Sequence, residues 1–301
     1  MSEIQTTRIG LPTGVTLKVA FGGPEDGEPI IFLHGFPESH RTWRHQLHNL
    51  SRDHRVIAPD QRGFAGSDKP EGVEEYETRK PVADLLALAD AFGIGRFTLV
   101  GHDWGGAAAW LAAIRHSDRI KRLVIVNAPH PIIFQKSVIE DEAQREASQY
   151  ISAFRSPGIE IAIRAMGLET FFEKTFEPHV DLRRISEAER DSYVEDWGKP
   201  GALTAMLNWY RASNIHVPEP GEKAHKPLST YAPLPKLKMP VLVVWGLKDK
   251  ALLPIQLGGL GDWVEDLRIV VEPDAGHFIP WEKPEAVTSA IRDFIAETPG
   301  V

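Results

Sequence analysis

Short runs of β-branched and other apolar residues recur along this chain of 301 residues. They are VTLKVAF from Val15, IIFLHG from Ile30, RVIAPD from Arg55, FTLVGH from Phe97, RLVIVNAP from Arg122, VLVVWG from Val241 and LRIVVE from Leu267. Most are nearly continuous rather than alternating, and Gly, Pro or Asp bounds them. Strands apolar on both sides need cover on both faces, which is the condition of a parallel sheet between helices. Helical patterns lie between the runs, over 43–50, 79–91, 105–116 and 284–296. The last has Pro284 in its first turn and Val287, Ile291 and Ile295 four apart on one face. This alternation predicts an α/β fold with a mostly parallel central sheet flanked by helices.

The alternation breaks between about 129 and 237. Helical patterns dominate there, over 141–154, 159–166, 187–197 and 202–212, and a Pro-rich segment, HVPEPGEKAHKPLSTYAPLPKLKMP, closes the stretch. The expected organisation is a core domain in two pieces, 1–130 and 236–301, interrupted by a helical cap, 131–235, lying over the sheet. No internal repeat or low-complexity tract is visible.

Composition narrows the function classes. Charged residues at 25% and hydrophobic ones at 42% are ordinary for a soluble globular chain. A net charge of −8 offers no overall attraction to phosphate, so neither a nucleic acid nor a membrane surface is an expected partner. The absence of cysteine removes disulfides, thiolate metal sites and thiol nucleophiles. The start, MSEIQTTRIG, lacks the pattern of a secretory signal, and the longest apolar stretch, 107–114, is too short to span a bilayer. A cytoplasmic protein, monomer or homodimer, is the expectation.

The stretch LVGHDWGGAAAWLAAIRHSDR carries the chemistry. Strand, Gly101-His102-Asp103-Trp104-Gly105, helix is the small-x-nucleophile-x-small pattern of a nucleophile elbow. Glycine flanks the turn because side chains there would meet the strand and the helix. Asp103 then stands above the sheet at a helix N-terminus, where the dipole favours its charge. An N-cap role alone would not call for those glycines. A carboxylate is ionised at neutral pH and needs no base to attack. It suits a saturated carbon bearing a leaving group, with an ester of Asp103 as the product. Water must then attack the ester carbonyl, which calls for a base and an oxyanion hole.

In a fold of this kind the chain order is nucleophile, acid, histidine. His277, in EPDAGHFIPWEKP after the last strand, is the candidate base. Asp249, in VLVVWGLKDKALLP after the preceding strand, is the candidate acid. The alternative acid position, after RLVIVN, holds Asn127. The oxyanion donors are expected from the backbone N–H of Trp104, next to the nucleophile, and of Phe36, in the loop after IIFLHG. His34, Pro37 and Trp209 are expected to line the substrate pocket; Trp281 is a further pocket candidate and Trp110 a packing residue.

HGFPES (34–39), GHDWGG (101–106), GLKD (246–249) and AGHF (275–278) together resemble the soluble epoxide hydrolases of the α/β-hydrolase fold, over nearly the whole chain. The resemblance implies that two cap tyrosines hold and protonate the epoxide oxygen. Tyr150 in SQYISAFRSPG and Tyr210 in LNWYR, two of only five tyrosines, match that role, with Tyr193 as a spare. It also implies a small apolar epoxide and water as the partners, and no cofactor. A phenol near pKa 10 is protonated at neutral pH yet donates readily to an alkoxide. One departure stands out. APDQRGFAGSDKP has Ala65 where the family's Asp-x-Arg-Gly-x-Gly loop has its second glycine, which puts the shape of that loop in question.

Two other readings use the same residues. A haloalkane or haloacid dehalogenase would share the aspartate, but the haloalkane enzymes usually have Asn where Phe36 stands, and the fluoroacetate enzymes Arg where Trp104 stands. A non-catalytic ligand-binding protein on the fold would have no need of the triad. No metal is expected: His45 and His48 share a helix face without an HExxH motif. Gly22 and Gly23 lack a dinucleotide fingerprint.

Overall fold

Eight strands form one sheet in the computed structural model, which describes residues 3–222 and 234–299. They are β1 (Gln5–Gly10), β2 (Thr16–Gly22), β3 (Glu28–Leu33), β4 (His54–Pro59), β5 (Phe97–His102), β6 (Ile120–Val126), β7 (Val241–Gly246) and β8 (Leu267–Glu272). Their order is β1-β2-β4-β3-β5-β6-β7-β8. The β1–β2 and β2–β4 pairs are antiparallel, and every pair from β4 to β8 is parallel.

The apolar runs become β2 to β8. β1, QTTRIG, is polar and largely exposed, and no apolar run announces it. β5 and β7 are buried at every residue. β8 departs from the expectation of burial on both faces: Ile269, Val270 and Val271 are 43%, 36% and 42% exposed. The strand order makes β8 an edge, and an apolar run reads the same at an edge as in the middle of a sheet.

Alternate residues of the central strands feed two cores. On one face Val100, Val124 and Val244 meet α1 (Arg44–Leu50), α11 (Ile279–Glu282) and α12 (Pro284–Glu297), with Val287, Ile291 and Ile295 of α12 buried as their spacing predicts. On the other face Leu99, Leu123 and Val243 meet α2 (Arg79–Ala91) and α3 (Trp104–Arg115).

Between β6 and β7 lie α4 (Pro131–Glu140), α5 (Glu142–Ala147), α6 (Gln149–Arg155), α7 (Ile159–Met166), α8 (Leu168–Phe176), α9 (Glu187–Gly198) and α10 (Ala202–Ala212), with no strand among the described residues. The single helix expected over 141–154 is two, because the chain turns at Ser148, whose hydroxyl takes the Gln144 amide. α4 and α8 lie outside the helical patterns named from the sequence. In the Pro-rich segment, 223–233 lie outside the described residues.

Indole N–H groups tie these helices to the sheet's loops. Trp197 donates to the Pro37 carbonyl at 2.7 Å and Trp209 to the Arg62 carbonyl at 3.1 Å. Arg62 is itself fixed by a buried two-pronged pair with Asp84 of α2, at 2.6 and 2.7 Å. In the same loop Ala65 adopts φ +41°, a left-handed conformation that favours glycine. The turn is made without the glycine, at a cost of about 1–2 kcal/mol. Among the described residues no helix is long and apolar enough to cross a membrane.

Candidate active site

The turn between β5 and α3 is built by close backbone approach. Asp103 has φ +50° and ψ −122°, a conformation that costs of order 1–3 kcal/mol and persists only where its surroundings enforce it. The surroundings do so. A Cβ on Gly101 would lie 2.5 Å from the Gly105 carbonyl oxygen, and one on Gly105 would lie 2.3 Å from that of Leu33. A Cβ on Gly35 would lie 2.2 Å from Asp103 Oδ1. That carboxylate oxygen accepts the Phe36 N–H at 2.7 Å. Trp104 opens α3, so its N–H has no helical carbonyl ahead of it.

His277 and Asp249 come from the loops after β8 and β7. The Asp249 carboxylate takes the Nδ1 proton of His277 in a 2.7 Å hydrogen bond, and Nε2 stands 3.8 Å from Asp103 Oδ2. Asp249 also accepts from the backbone N–H groups of Ala251 and Leu252, both at 2.9 Å, and from the Asn127 amide at 2.8 Å. Burial alone would raise the Asp249 pKa. The His277 charge and these hydrogen bonds outweigh it and hold the carboxyl below its ordinary value. Burial likewise opposes charge on His277, but the carboxylates of Asp249, Asp103 and Glu38 prevail and push it up to about 9. The ring is therefore an imidazolium at neutral pH.

A second pair lies behind that ring. His102 shares a 2.8 Å hydrogen bond through Nε2 with the His277 carbonyl, and its Nδ1 is 3.4 Å from Glu38 Oε2. Neither Glu38 oxygen has a hydrogen-bond partner among the described residues, although the side chain is buried.

Above the elbow opens a cavity of about 550 Å³. Asp103, Trp104, Tyr150 of α6 and Tyr210 of α10 line it, with Leu111 and Phe134 among its apolar walls. The two phenol rings are 6.0 Å apart and nearly perpendicular, and Tyr210 meets Trp104 edge-on at 5.1 Å. Burial, reinforced by the Asp103 charge, raises both tyrosines well above 10. Each stays a neutral O–H donor across the working range of pH.

Comparison with known proteins gives the chain a family. The model of the alpha/beta hydrolase fold family matches residues 28–284. The chain is 34% identical to an AB hydrolase superfamily protein, YfhM, of Bacillus subtilis, over 94% of this chain and 95% of that one. It is 32% identical to epoxide hydrolase 3 of Xenopus tropicalis, over 95% of this chain and 76% of that protein. A solved structure described among novel epoxide hydrolases from metagenomes of hot environments superposes with a TM-score of 0.90 at 46% identity, covering 97% of this chain and 98% of the other. The chain belongs to the epoxide hydrolases of the α/β-hydrolase fold.

In this epoxide hydrolase the fold brings Asp103, His277, Asp249, Tyr150, Tyr210, Phe36 and Trp104 together. The three proposed pocket residues do not join them. His34 is buried and its ring is used structurally: Nε2 accepts the Gln61 N–H at 2.9 Å and Nδ1 faces the Gly35 carbonyl at 2.9 Å. Pro37 and Trp209 are engaged in the indole bonds described above. None of the three lines the cavity. Trp281 is absent from its lining as well, packing instead on Phe176 and Tyr193. Tyr193, the spare donor, is buried among Phe172, Phe176 and Trp197, away from the cavity. Trp110 is a packing residue, buried with its N–H on the Ala128 carbonyl.

Sequence reasoning missed Glu38 and His102, although both lie inside quoted motifs. Their relation to His277 arises only when the loop after β8 folds back over β5. Asn127 stands at the alternative acid position of the sequence. The structure shows its amide holding Asp249 while its oxygen takes the Gly246 N–H at 2.8 Å.

Proposed function

We propose that this epoxide hydrolase converts an epoxide and water to a vicinal diol through an ester on Asp103. The observation that carries the reading is that one cavity holds a carboxylate in a strained turn together with two neutral phenols. Asp103 attacks a ring carbon and the C–O bond of the epoxide breaks. Tyr150 and Tyr210 hold the departing oxygen, and one of them gives it a proton.

The ester neutralises Asp103 and removes one of the charges that hold the proton on His277. The ring can then release that proton and act as a base. Water attacks the Asp103 carbonyl carbon while His277 Nε2 takes its proton. The developing oxyanion rests on the N–H groups of Phe36 and Trp104. Cleavage of the acyl C–O bond frees the diol, whose departing oxygen takes the second proton of the water, and the proton that His277 gave up after alkylation restores the tyrosine. Asp249 orients the ring and stabilises its charged form.

Residues 131–235 serve as the cap that brings both tyrosines over the elbow. The 550 Å³ volume and its apolar walls suit an apolar, mid-sized epoxide.

The test is a single turnover of styrene oxide in heavy-oxygen water. Here the first diol carries ordinary oxygen from Asp103, and the label appears on Asp103. Label in the first diol would mean direct attack by water. Halide release from a haloalkane without diol formation from an epoxide would favour dehalogenation instead.

A further inference from the structure

The two edges of the sheet differ in kind. β1 carries QTTRIG, with Ile9 as its one branched apolar residue, and is a polar edge. β8 carries LRIVVE and leaves Ile269, Val270 and Val271 exposed in succession. A long apolar edge strand is a template for another strand unless something covers it, and among the described strands β8 pairs with β7 alone.

The backbone says which groups are free. The carbonyls of Asp266 and Glu272 accept from Val241 and Leu247 on the β7 side. In a parallel pair, alternate residues turn both backbone groups to the same neighbour. Residues 266, 268, 270 and 272 are therefore satisfied by β7, while Leu267, Ile269 and Val271 aim their N–H and C=O outward.

The geometry points to a second copy of this chain as the occupant, its β8 paired antiparallel about a two-fold axis at Val270. Charge selects the register. Two-fold pairings that engage at least two of these outward residues within β8 centre on residue 268, 269 or 270. Centring on 268 sets Arg268 against its own copy, and centring on 269 sets Asp266 against Glu272 of the second copy. Centring on 270 sets Arg268 against Glu272 of the second copy twice over and joins Ile269 to Val271 by backbone hydrogen bonds. In this register 268–272 and 270–270 are the non-hydrogen-bonded pairs, whose side chains approach most closely.

Arg268 lies over the Phe294 ring of α12 and pairs with Glu297, so residues 268, 270 and 272 share the α12 side of the sheet. Glu272 has no side-chain ion pair among the described residues. Pro273 follows β8 and lacks an N–H, so the pairing ends there. The product is a continuous sixteen-stranded sheet with the two active sites on separate copies.

The test uses the full chain. Light scattering after size exclusion should give twice the mass of one chain at micromolar concentration. Val270→Lys sets like charges face to face and should give the single-chain mass, with thermal unfolding and diol formation retained. Glu272→Arg should weaken the dimer most at low salt. Because the chain has no cysteine, Val270→Cys introduces the only thiol. Cα atoms of a non-hydrogen-bonded pair are about 4.5 Å apart, within the roughly 4.4–6.8 Å that a disulfide spans. Mild oxidation should therefore cross-link Val270→Cys but neither Val271→Cys nor, on the other edge, Thr7→Cys. A monomeric wild type, a dimer indifferent to Val270→Lys, or equal cross-linking at 270 and 271 would overturn the proposal.

Discussion

Replacing Asp103 by Asn should lower the pKa of His277 and so expose how the base is switched on. The unsubstituted ring titrates at about 9, held there against burial by Asp249, Asp103 and Glu38. Nε2 lies 3.8 Å from Asp103 Oδ2. Two unit charges at that distance interact by about 4 kcal/mol at an effective dielectric constant near 20, a factor of about 10³ in proton affinity. The figure is an upper value, because solvent reaches both side chains slightly. Asp103→Asn should bring the ring from about 9 toward the ordinary histidine value of about 6.5. The assay is nitrogen NMR of isotope-labelled histidine across a pH series.

Stability gives the same information with a definite sign. A folded-state pKa above the unfolded value stabilises the fold fully below about pH 6.5. That contribution fades as pH rises through about 9. The wild type should therefore lose stability over this window relative to Asp103→Asn. A ring that still titrates near 9 in the variant would refute the reasoning, because alkylation could not then free the base.

Other outcomes follow from the same geometry. Tyr150→Phe together with Tyr210→Phe should cut diol formation by about 10²–10⁴-fold, the range that general-acid catalysis supplies; either change alone should cost less, and initial rates on styrene oxide check both. Arg62→Ala strands a buried Asp84 charge and should cost about 3–5 kcal/mol in denaturant unfolding; a loss under about 1 kcal/mol would be that of a surface pair. Gly35→Ala forces a methyl against Asp103 and should lower the turnover rate by about 10²-fold, as loss of an oxyanion donor does, with the unfolding temperature little changed.

Local chemistry made the core strands and the catalytic motifs readable from residues alone. Gly101, Gly105 and Asp103 form one turn whose steric demands appear in five residues, and the loops bearing Asp249 and His277 each follow a strand with a strong apolar signal. What stayed hidden depends on tertiary position. LRIVVE reads as an interior strand, and only the strand order reveals an edge. Trp209 and His34 are the right residue types for a pocket, but the Arg62 carbonyl claims one and the Gln61 N–H the other. The break at Ser148 depends on Gln144 reaching both Ser148 and the Ala251 carbonyl, a contact across more than a hundred residues that no local pattern encodes.

The covalent ester is the centre of the account, and trapping it is the most direct measurement. His277→Gln should leave the attack by Asp103 intact and stall the water step. Rapid quenching with styrene oxide, followed by intact-protein and peptide mass spectrometry, should then show one substrate mass added at Asp103, accumulating as diol release stops. Continued diol release with no added mass on any peptide containing Asp103 would contradict the account.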